Sequence, residues 1–388
     1  MERNVPKLRF KGFNDEWQLS NLKKLCDINP KSKELPYKFV YIDLESIIDG
    51  VLIKKNIIEL KDAPSRAQRL LNVGDVLFQT VRPYQMNNYL FEYELNYKSV
   101  ASTGYAQLRC KNCISNNKFI YQALHNKKFN NKVMLRCTGT SYPAINSSEL
   151  VTIPLRIPSL QEQERIANFL TKVDKIIEKQ EEKVKNLENY KKGMMQKIFS
   201  QEIRFKDENG NEYPEWEEKR LGKIIVNKNK GGNALYCDYE ANILLSNEYL
   251  EKKVSNITYV SNTIDVYENH ILILWDGSQS GKVYTGVRGV LGSTFVSIEL
   301  DKFNNNIFVY QYLNYKKNLI QEVWREGSGV PHVAKDFINN FKIFLPCLEE
   351  QVKISEVLNK IDLLQEKETN KLENLRQLKK GLLQQMFV

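Results

Sequence analysis

The sequence predicts an α+β protein with an internal two-fold repeat, in which two mixed α/β globular domains stand in tandem and each is followed by one long α-helix. Three observations predict it. Residues 159–200 and 347–388 contain no proline and one glycine each, with apolar residues at helical spacing. The stretches before them carry short β-branched runs broken by glycine, asparagine and aspartate. A block of sequence also recurs at a constant offset, which sets the count at two.

In the first of the two helices the apolar positions are Ile166, Leu170, Val173, Ile177, Val184, Leu187, Met194 and Ile198. Steps of four and three alternate once Gln180 and Lys191 are included, which is the seam of a coiled coil. At 1.5 Å per residue, about 40 residues make a rod of roughly 60 Å. Adding 188 to these numbers gives Ile354, Leu358, Ile361, Gln365, Leu372, Leu375, Lys379, Leu382 and Met386. Residues 139–199 and 327–387 align without a gap, with about 20 identities in 61 pairs. Shared positions include Pro158/Pro346, Gln163/Gln351, Asp174/Asp362, Lys191/Lys379 and Phe199/Phe387. The domain starts match as well: Arg9-Phe10-Lys11 with Arg204-Phe205-Lys206, and Glu16-Trp17 with Glu215-Trp216. The Trp offset is 199, so the middle of the first domain is longer by eleven residues. The boundaries are therefore a first domain at 1–158, a helix at 159–200, a second domain at 201–346 and a helix at 347–388.

Within the first domain, Phe39–Ile42 reads as a strand and Asp49-Gly50 as a turn before Val51–Ile53. Residues 73–78 read as a turn into a buried strand, 99–108 as another strand, and 118–126 as a short helix. In the second domain, strands are expected at 242–245, 270–275, 283–284 and 294–300, with a helix at 306–319. Ends that match set the architecture, and middles that differ set what each copy binds.

Composition narrows the class. With 388 residues, 42% of them hydrophobic, each half can bury a core. No run of 18 apolar residues is present, so no membrane span is expected, and MERNVPKLRF does not read as a signal peptide. Six irregularly spaced cysteines read as reduced thiols of a cytoplasmic protein. The net charge is +10. Residues 159–200 hold nine Lys/Arg against seven Asp/Glu, and 348–388 hold seven against seven, which leaves about +8 on the globular parts. A polyanion partner and ordinary solubility charge both fit that balance.

No catalytic constellation stands out. Gly277–Gly281 followed by Lys282 resembles a phosphate loop but is one residue short between its glycines, and Val283 stands where a magnesium-binding hydroxyl is needed. A flexible loop touching a backbone phosphate is the better reading. Cys110-x-x-Cys113 has the spacing of half a zinc site, with His125 and Cys137 as conceivable partners, though plain thiols are the default. The remaining polar, basic and aromatic clusters suit either ordinary surface turns or DNA, for which arginine forks match phosphate and guanine and hydroxyls donate to phosphate. The candidates in the first domain are Arg66, Arg69, Gln79, Arg82, Tyr84, Thr103, Tyr105, Arg136, Ser141 and Tyr142. Those in the second are Trp275, Ser278, Gln279, Lys282, Ser293, Arg325, Ser328 and His332.

Taken together, the chain resembles the DNA-specificity subunit of type I restriction–modification systems. The resemblance rests on the two-fold repeat, on Pro158–Gln163 and Pro346–Gln351 leading into the helices, and on the Lys-Lys-Gly-x-x-Gln runs at 191–196 and 379–384. It rests also on Ala63–Ala67, Gly74-Asp75 and Val81-Arg82-Pro83. It implies two target-recognition domains, each reading half of a split DNA site, and two long helices packed as an antiparallel coiled coil that fixes their spacing. It implies no catalysis and no cofactor in this chain. S-adenosylmethionine is expected on two methyltransferase subunits, and ATP and magnesium on motor-nuclease subunits of the full complex. The alternatives are a basic coiled-coil scaffold that binds DNA or proteins without sequence specificity, or an enzyme with a dispersed site.

Overall fold

The computed structural model describes residues 4–32, 34–252, 257–327 and 329–388. The chain divides into two compact units, one joining residues 1–182 to 370–388 and the other comprising 183–369. The dividing points fall inside the two long helices, Leu160–Phe199 and Leu348–Met386. Each unit therefore holds one globular domain, the first part of one long helix and the last part of the other.

In unit 1, strand Lys38–Ile42 pairs antiparallel with Asn56–Glu59 and parallel with Ser99–Ser102, which in turn pairs with Ala67–Leu70. A second, wholly antiparallel sheet has the order Cys26–Ile28, Tyr105–Cys110, Val76–Gln79, Tyr89–Leu90. Unit 2 repeats this plan. Ile225–Lys230, Phe295–Leu300, Ile271–Leu274 and Val283–Thr285 form the antiparallel sheet. Asn242–Leu245 lies parallel to Val290–Leu291 in the other sheet, with Tyr259–Val260 on its far side. The strand expected over 99–108 is two strands, because Thr103-Gly104 turns the chain from one sheet into the other. The helix expected over 306–319 is likewise two, Asn306–Tyr315 and Lys317–Val323, meeting at Lys316. The Asp49-Gly50 turn joins Ile47-Ile48 to Val51-Leu52, with positive φ at both residues as that tight hairpin requires.

The matching ends of the two domains have a direct physical role, since the start of each domain pairs with its finish. Gln18–Asn21 runs antiparallel to Pro154–Ile157, and Glu217–Arg220 to Lys342–Leu345. Immediately beyond each pair the long helix begins, and three of its residues tie it to the domain. In unit 1, Arg9 Nε and Nη2 donate to the Glu162 carboxylate (both 2.8 Å), and in unit 2 Arg204 Nε and Nη2 donate to Glu350 (2.9 and 3.0 Å). Gln163 Nε2 donates to Pro158 O while its Oε1 accepts from Asn116 N, and Gln351 makes the same pair of bonds with Pro346 O and Asn305 N. Asp174 accepts from Gln122 Nε2 (2.6 Å) and Asp362 from Gln311 Nε2 (2.7 Å).

The domain partners of the glutamine Oε1 and of the aspartate, Asn116 with Gln122 and Asn305 with Gln311, lie at the cap and within one short helix per unit, Asn117–Leu124 and Asn306–Tyr315. Their sequences, Asn116-Asn-Lys-Phe-Ile-Tyr-Gln122 and Asn305-Asn-Ile-Phe-Val-Tyr-Gln311, share a seven-residue pattern that the sequence reading did not single out. Asn116 and Asn305 cap the helices through their side chains. Phe119 packs with Trp17 and Phe387, and Phe308 with Trp216 and Phe199 (centroids 5.2–6.0 Å). Phe199 ends the long helix of the first repeat and Phe387 directly follows that of the second, so each domain core is completed by the end of the other repeat.

Inside each unit the two helix segments run antiparallel. Asp174 meets Lys379 (2.6 Å) and Glu181 meets Arg376 (2.7 Å) in unit 1, and Asp362 meets Lys191 (2.5 Å) and Glu368 meets Lys183 (2.8 Å) in unit 2. Much of the expected seam is buried: Ile166, Leu170, Val173, Ile177, Leu372 and Met386 in unit 1, and Ile198, Ile354, Leu358 and Ile361 in unit 2. Val184, Leu187, Met194, Leu375 and Leu382 are half-buried, and Met195 and Leu383 are buried instead of their neighbours Met194 and Leu382. No helix among the described residues is long and apolar enough to cross a membrane.

Glu350 also accepts from Trp216 Nε1 (3.2 Å), whereas the buried Trp17 Nε1 makes no such bond to Glu162. Removing a buried carboxylate strands its partners, so Glu350→Ala is expected to destabilise unit 2 by about 3–5 kcal/mol. Glu162→Ala is expected to destabilise unit 1 by less. Hydrogen exchange read on peptides of each unit checks this, and equal losses would contradict the role given to the indole.

Candidate nucleic-acid interface

Four backbone segments meet just past strand Val76–Gln79 of unit 1. Thr80 N donates to Gly104 O and Ile145 N donates to Thr80 O (both 3.0 Å). Arg82 N donates to Pro143 O (2.7 Å), and Thr103 N donates to Arg66 O (2.8 Å). The turns carrying Arg66, Arg82, Thr103 and Tyr142 are thereby held side by side. The Arg82 guanidinium lies over the Tyr142 ring, 4.3 Å from its centroid. That stacking holds the cation with its fork open, a geometry suited to phosphate or to the edge of guanine.

Unit 2 builds the same cluster past Ile271–Leu274. Trp275 N donates to Thr294 O, Val333 N donates to Trp275 O, and Gly277 N donates to Pro331 O (all 2.8 Å). These three bonds match, one for one, those of Thr80, Ile145 and Arg82. Short pairings of Thr138 with Ala144 and of Glu326 with His332 close the corresponding hairpins. The frame is thus conserved between the units while its side chains are not. At the equivalent of Gly277, where φ is +112°, unit 1 has Arg82 at φ +53°. A left-handed backbone costs an L-residue energy that glycine avoids, so the arginine is retained there against a local penalty.

The family described as the type I restriction modification DNA specificity domain matches the chain twice, over residues 14–189 and 213–376. The chain belongs to this family. Among curated relatives, the specificity subunit of the type I restriction enzyme MjaVIII of Methanocaldococcus jannaschii is 34% identical over 196 residues. That alignment spans 49% of the chain and 46% of the relative, about half the length of each. The putative type I restriction enzyme MjaX specificity subunit of the same organism is 24% identical over 98% of this chain and 95% of its own. The fold matches the crystal structure of the S subunit of a type I restriction-modification system from M. genitalium, with a TM-score of 0.65 at 17% identity over 99% of both chains.

In this member of the family the structure sorts the sequence-predicted residues. Arg66, Tyr84, Ser141 and Tyr142 are exposed in unit 1, with Arg69, Arg82 and Thr103 half-buried. Arg69 Nε is buried without a partner, and burial pushes the guanidinium's pKa down, leaving it a cation with unmet hydrogen-bonding capacity. Gln79 and Tyr105 do not belong to the interface. The Gln79 side chain is buried, donating to Val81 O and Gln85 Oε1 and accepting from Asn87 N, so it shapes the Arg82 turn from beneath. Tyr105 is fully buried against Leu71, Leu77 and Tyr89. Arg136 is turned to Thr152 Oγ1 (3.0 Å) and takes no part in the cluster's bonding. Asp75, part of the resemblance, is buried under Arg109 and Gln107 as a structural carboxylate.

In unit 2, Ser278, Ser293 and Arg325 are exposed on the cluster, with Gln279 and His332 half-buried beside them. Arg325 Nη1 donates to Ser278 O (3.3 Å), and His332 Nε2 stands 3.9 Å from Glu326. Trp275 is a core residue, packed with Val333 and Ile320, and offers only its backbone to the cluster. Lys282 is not a free phosphate ligand, since Glu251 Oε1 accepts from it and from Tyr284 Oη at 2.6 Å each. Ser328 lies outside the described residues. The sequence reading missed Lys230, whose Nζ is 3.9 Å from Asp276 at the cluster's margin. Its signal was the basic, glycine-flanked run Lys228-Asn-Lys-Gly-Gly232. The half zinc site does not assemble, because Cys110 faces Cys26, and no metal-holding group of three or more His, Cys, Asp or Glu exists among the described residues.

Arg82→Gly restores the residue that unit 2 uses at this position. Relief of the backbone and loss of the Tyr142 stacking offset each other, so stability is expected to stay within about 1 kcal/mol of the parent. DNA binding is expected to weaken by about 1–3 kcal/mol. Thermal unfolding and fluorescence anisotropy on cognate DNA measure the two separately; unchanged affinity would remove Arg82 from the interface.

Proposed function

We propose that the chain is the sequence-reading subunit of a type I restriction–modification complex, each unit reading one half of a split DNA site through its turn cluster. The observation that carries this reading is the doubled frame: the same three backbone bonds hold the same turns in both units, with different side chains on them. One frame with two sets of side chains suits two different half-sites. The excess of about +8 on the globular parts supplies the phosphate attraction any such reader needs. In this reading the long helices fix the number of base pairs between the half-sites. The chain contributes recognition and no catalysis. S-adenosylmethionine belongs to methyltransferase partners, ATP and magnesium to motor-nuclease partners, and the complex works in the cytoplasm.

The decisive experiment is selection from a library of split sites by the chain co-purified with its methyltransferase partner, at two salt concentrations. Enrichment of one bipartite sequence with a fixed gap is expected. Tight binding without sequence preference that vanishes as salt rises would leave a basic scaffold instead.

The repeat also offers one docking place per unit for a protein partner. Ile176 and Leu364 are repeat equivalents, as are Tyr190 and Leu378, and all four are more than half exposed. Ile176 and Leu378 lie in unit 1, Tyr190 and Leu364 in unit 2. Large apolar side chains kept exposed at both repeat positions suit a partner bound twice. Ile176→Asp with Leu378→Asp is expected to cut methyltransferase subunits from two to one per chain in native mass spectrometry. Retention of both would move the docking place elsewhere.

A further inference from the structure

Cys26 and Cys110 are direct register partners across the antiparallel strands Cys26–Ile28 and Tyr105–Cys110. Their sulfurs are 3.7 Å apart. Cys26 is buried and Cys110 half-buried. Cys110 lines an opening to solvent with Asp27, Arg109, Lys111 and Asn112. At the matching register of unit 2 the facing residues are Ile225 and Leu300. The fold therefore fills this position with an ordinary apolar pair when packing is the only requirement, and two facing thiols go beyond that requirement.

We propose that Cys26 and Cys110 form a dithiol modification site that takes peroxide-class oxidants and closes to a disulfide stapling the two strands. The Cys110 thiolate attacks the peroxide O–O bond and becomes a sulfenic acid, and the departing hydroxide takes the proton that Cys110 released, giving water. The Cys26 sulfur then attacks the sulfenic sulfur, and its proton leaves with the hydroxyl as a second water. Two thiols lose two electrons and the peroxide gains them. The roles follow from position: Cys110 borders the opening, and Cys26 stands behind it as the resolving thiol. The hydrogen bond from Cys26 lowers the Cys110 pKa, and the same bond together with burial raises that of Cys26. Closing from 3.7 Å to a bond of about 2.0 Å is within reach of side-chain rotation between paired strands. The resulting loop joins positions 84 residues apart and encloses the turns of Arg66, Arg82 and Thr103.

The test is titration of the full chain with hydrogen peroxide, followed by non-reducing digestion and mass spectrometry. A peptide pair linking Cys26 to Cys110, lighter by two hydrogens and released by dithiothreitol, is expected before Cys137 or Cys347 is modified. The double variant Cys26→Ile/Cys110→Leu copies the chain's own unit 2 pair, and it is expected to form no cross-link and to lose two titratable thiols. A Cys110–Cys113 bond, or sulfinic acid at Cys110 with Cys26 still free, would overturn the proposal; both are read on the unaltered chain.

Discussion

Everything in this protein hangs on a buried carboxylate at the start of each long helix. Glu162 and Glu350 are almost without solvent contact, and each is neutralised by an arginine from the first residues of its own domain. A buried charge tolerates no slack, because losing the partner costs far more than the pair contributes. The glutamine that follows fixes the helix start against the domain's short helix, and an aspartate three turns later repeats the tie. The acidic residue also sits in the helix's first turn, where the backbone dipole favours it. Domain and helix are locked by polar geometry, and the aromatic trio around Trp17 or Trp216 then excludes water from the joint.

Against this constant joint, the two middles have drifted in instructive ways. Asp75 of unit 1 is paired with Arg109; at the equivalent positions of unit 2, His270 stands 4.0 Å from Glu299, with the acid and base on opposite strands. Each unit thus sets a carboxylate near a nitrogen-bearing side chain at this place, with the carboxylate supplied from different strands. The Arg82 position shows the opposite behaviour. Backbone φ is positive there in both units, and the side chain in unit 1 departs from the glycine that would suit it best. Positions that vary within a physical rule belong to the scaffold, and a position that breaks one points to the ligand.

The helices, the seam, the repeat and most strands were legible because periodicity and ungapped identity survive in a single sequence. The errors share one cause. Gln79, Tyr105 and Trp275 look like binding residues by type, yet they occupy strand ends whose inward positions are buried, and the sheet that buries them is assembled from distant segments. Lys282 was misjudged because its partner, Glu251, is 31 residues away. Local sequence gives side-chain chemistry, whereas exposure depends on non-local pairing. The seven-residue helix pattern at 116–122 and 305–311 was readable in principle. It sits at an offset of 189, one residue from that of the long block, and so falls between the two better alignments.

The strand pair at the base of each domain has an evolutionary consequence. Because Gln18–Asn21 lies against Pro154–Ile157, the two points where the chain passes into and out of a middle are neighbours in space. A middle imported by recombination has only to meet two adjacent backbone positions and bring a short helix carrying the Asn cap and the Gln six residues on. Inheritance can therefore exchange one reader without rebuilding its mount, and the chain is organised as a socket into which new readers can be fitted.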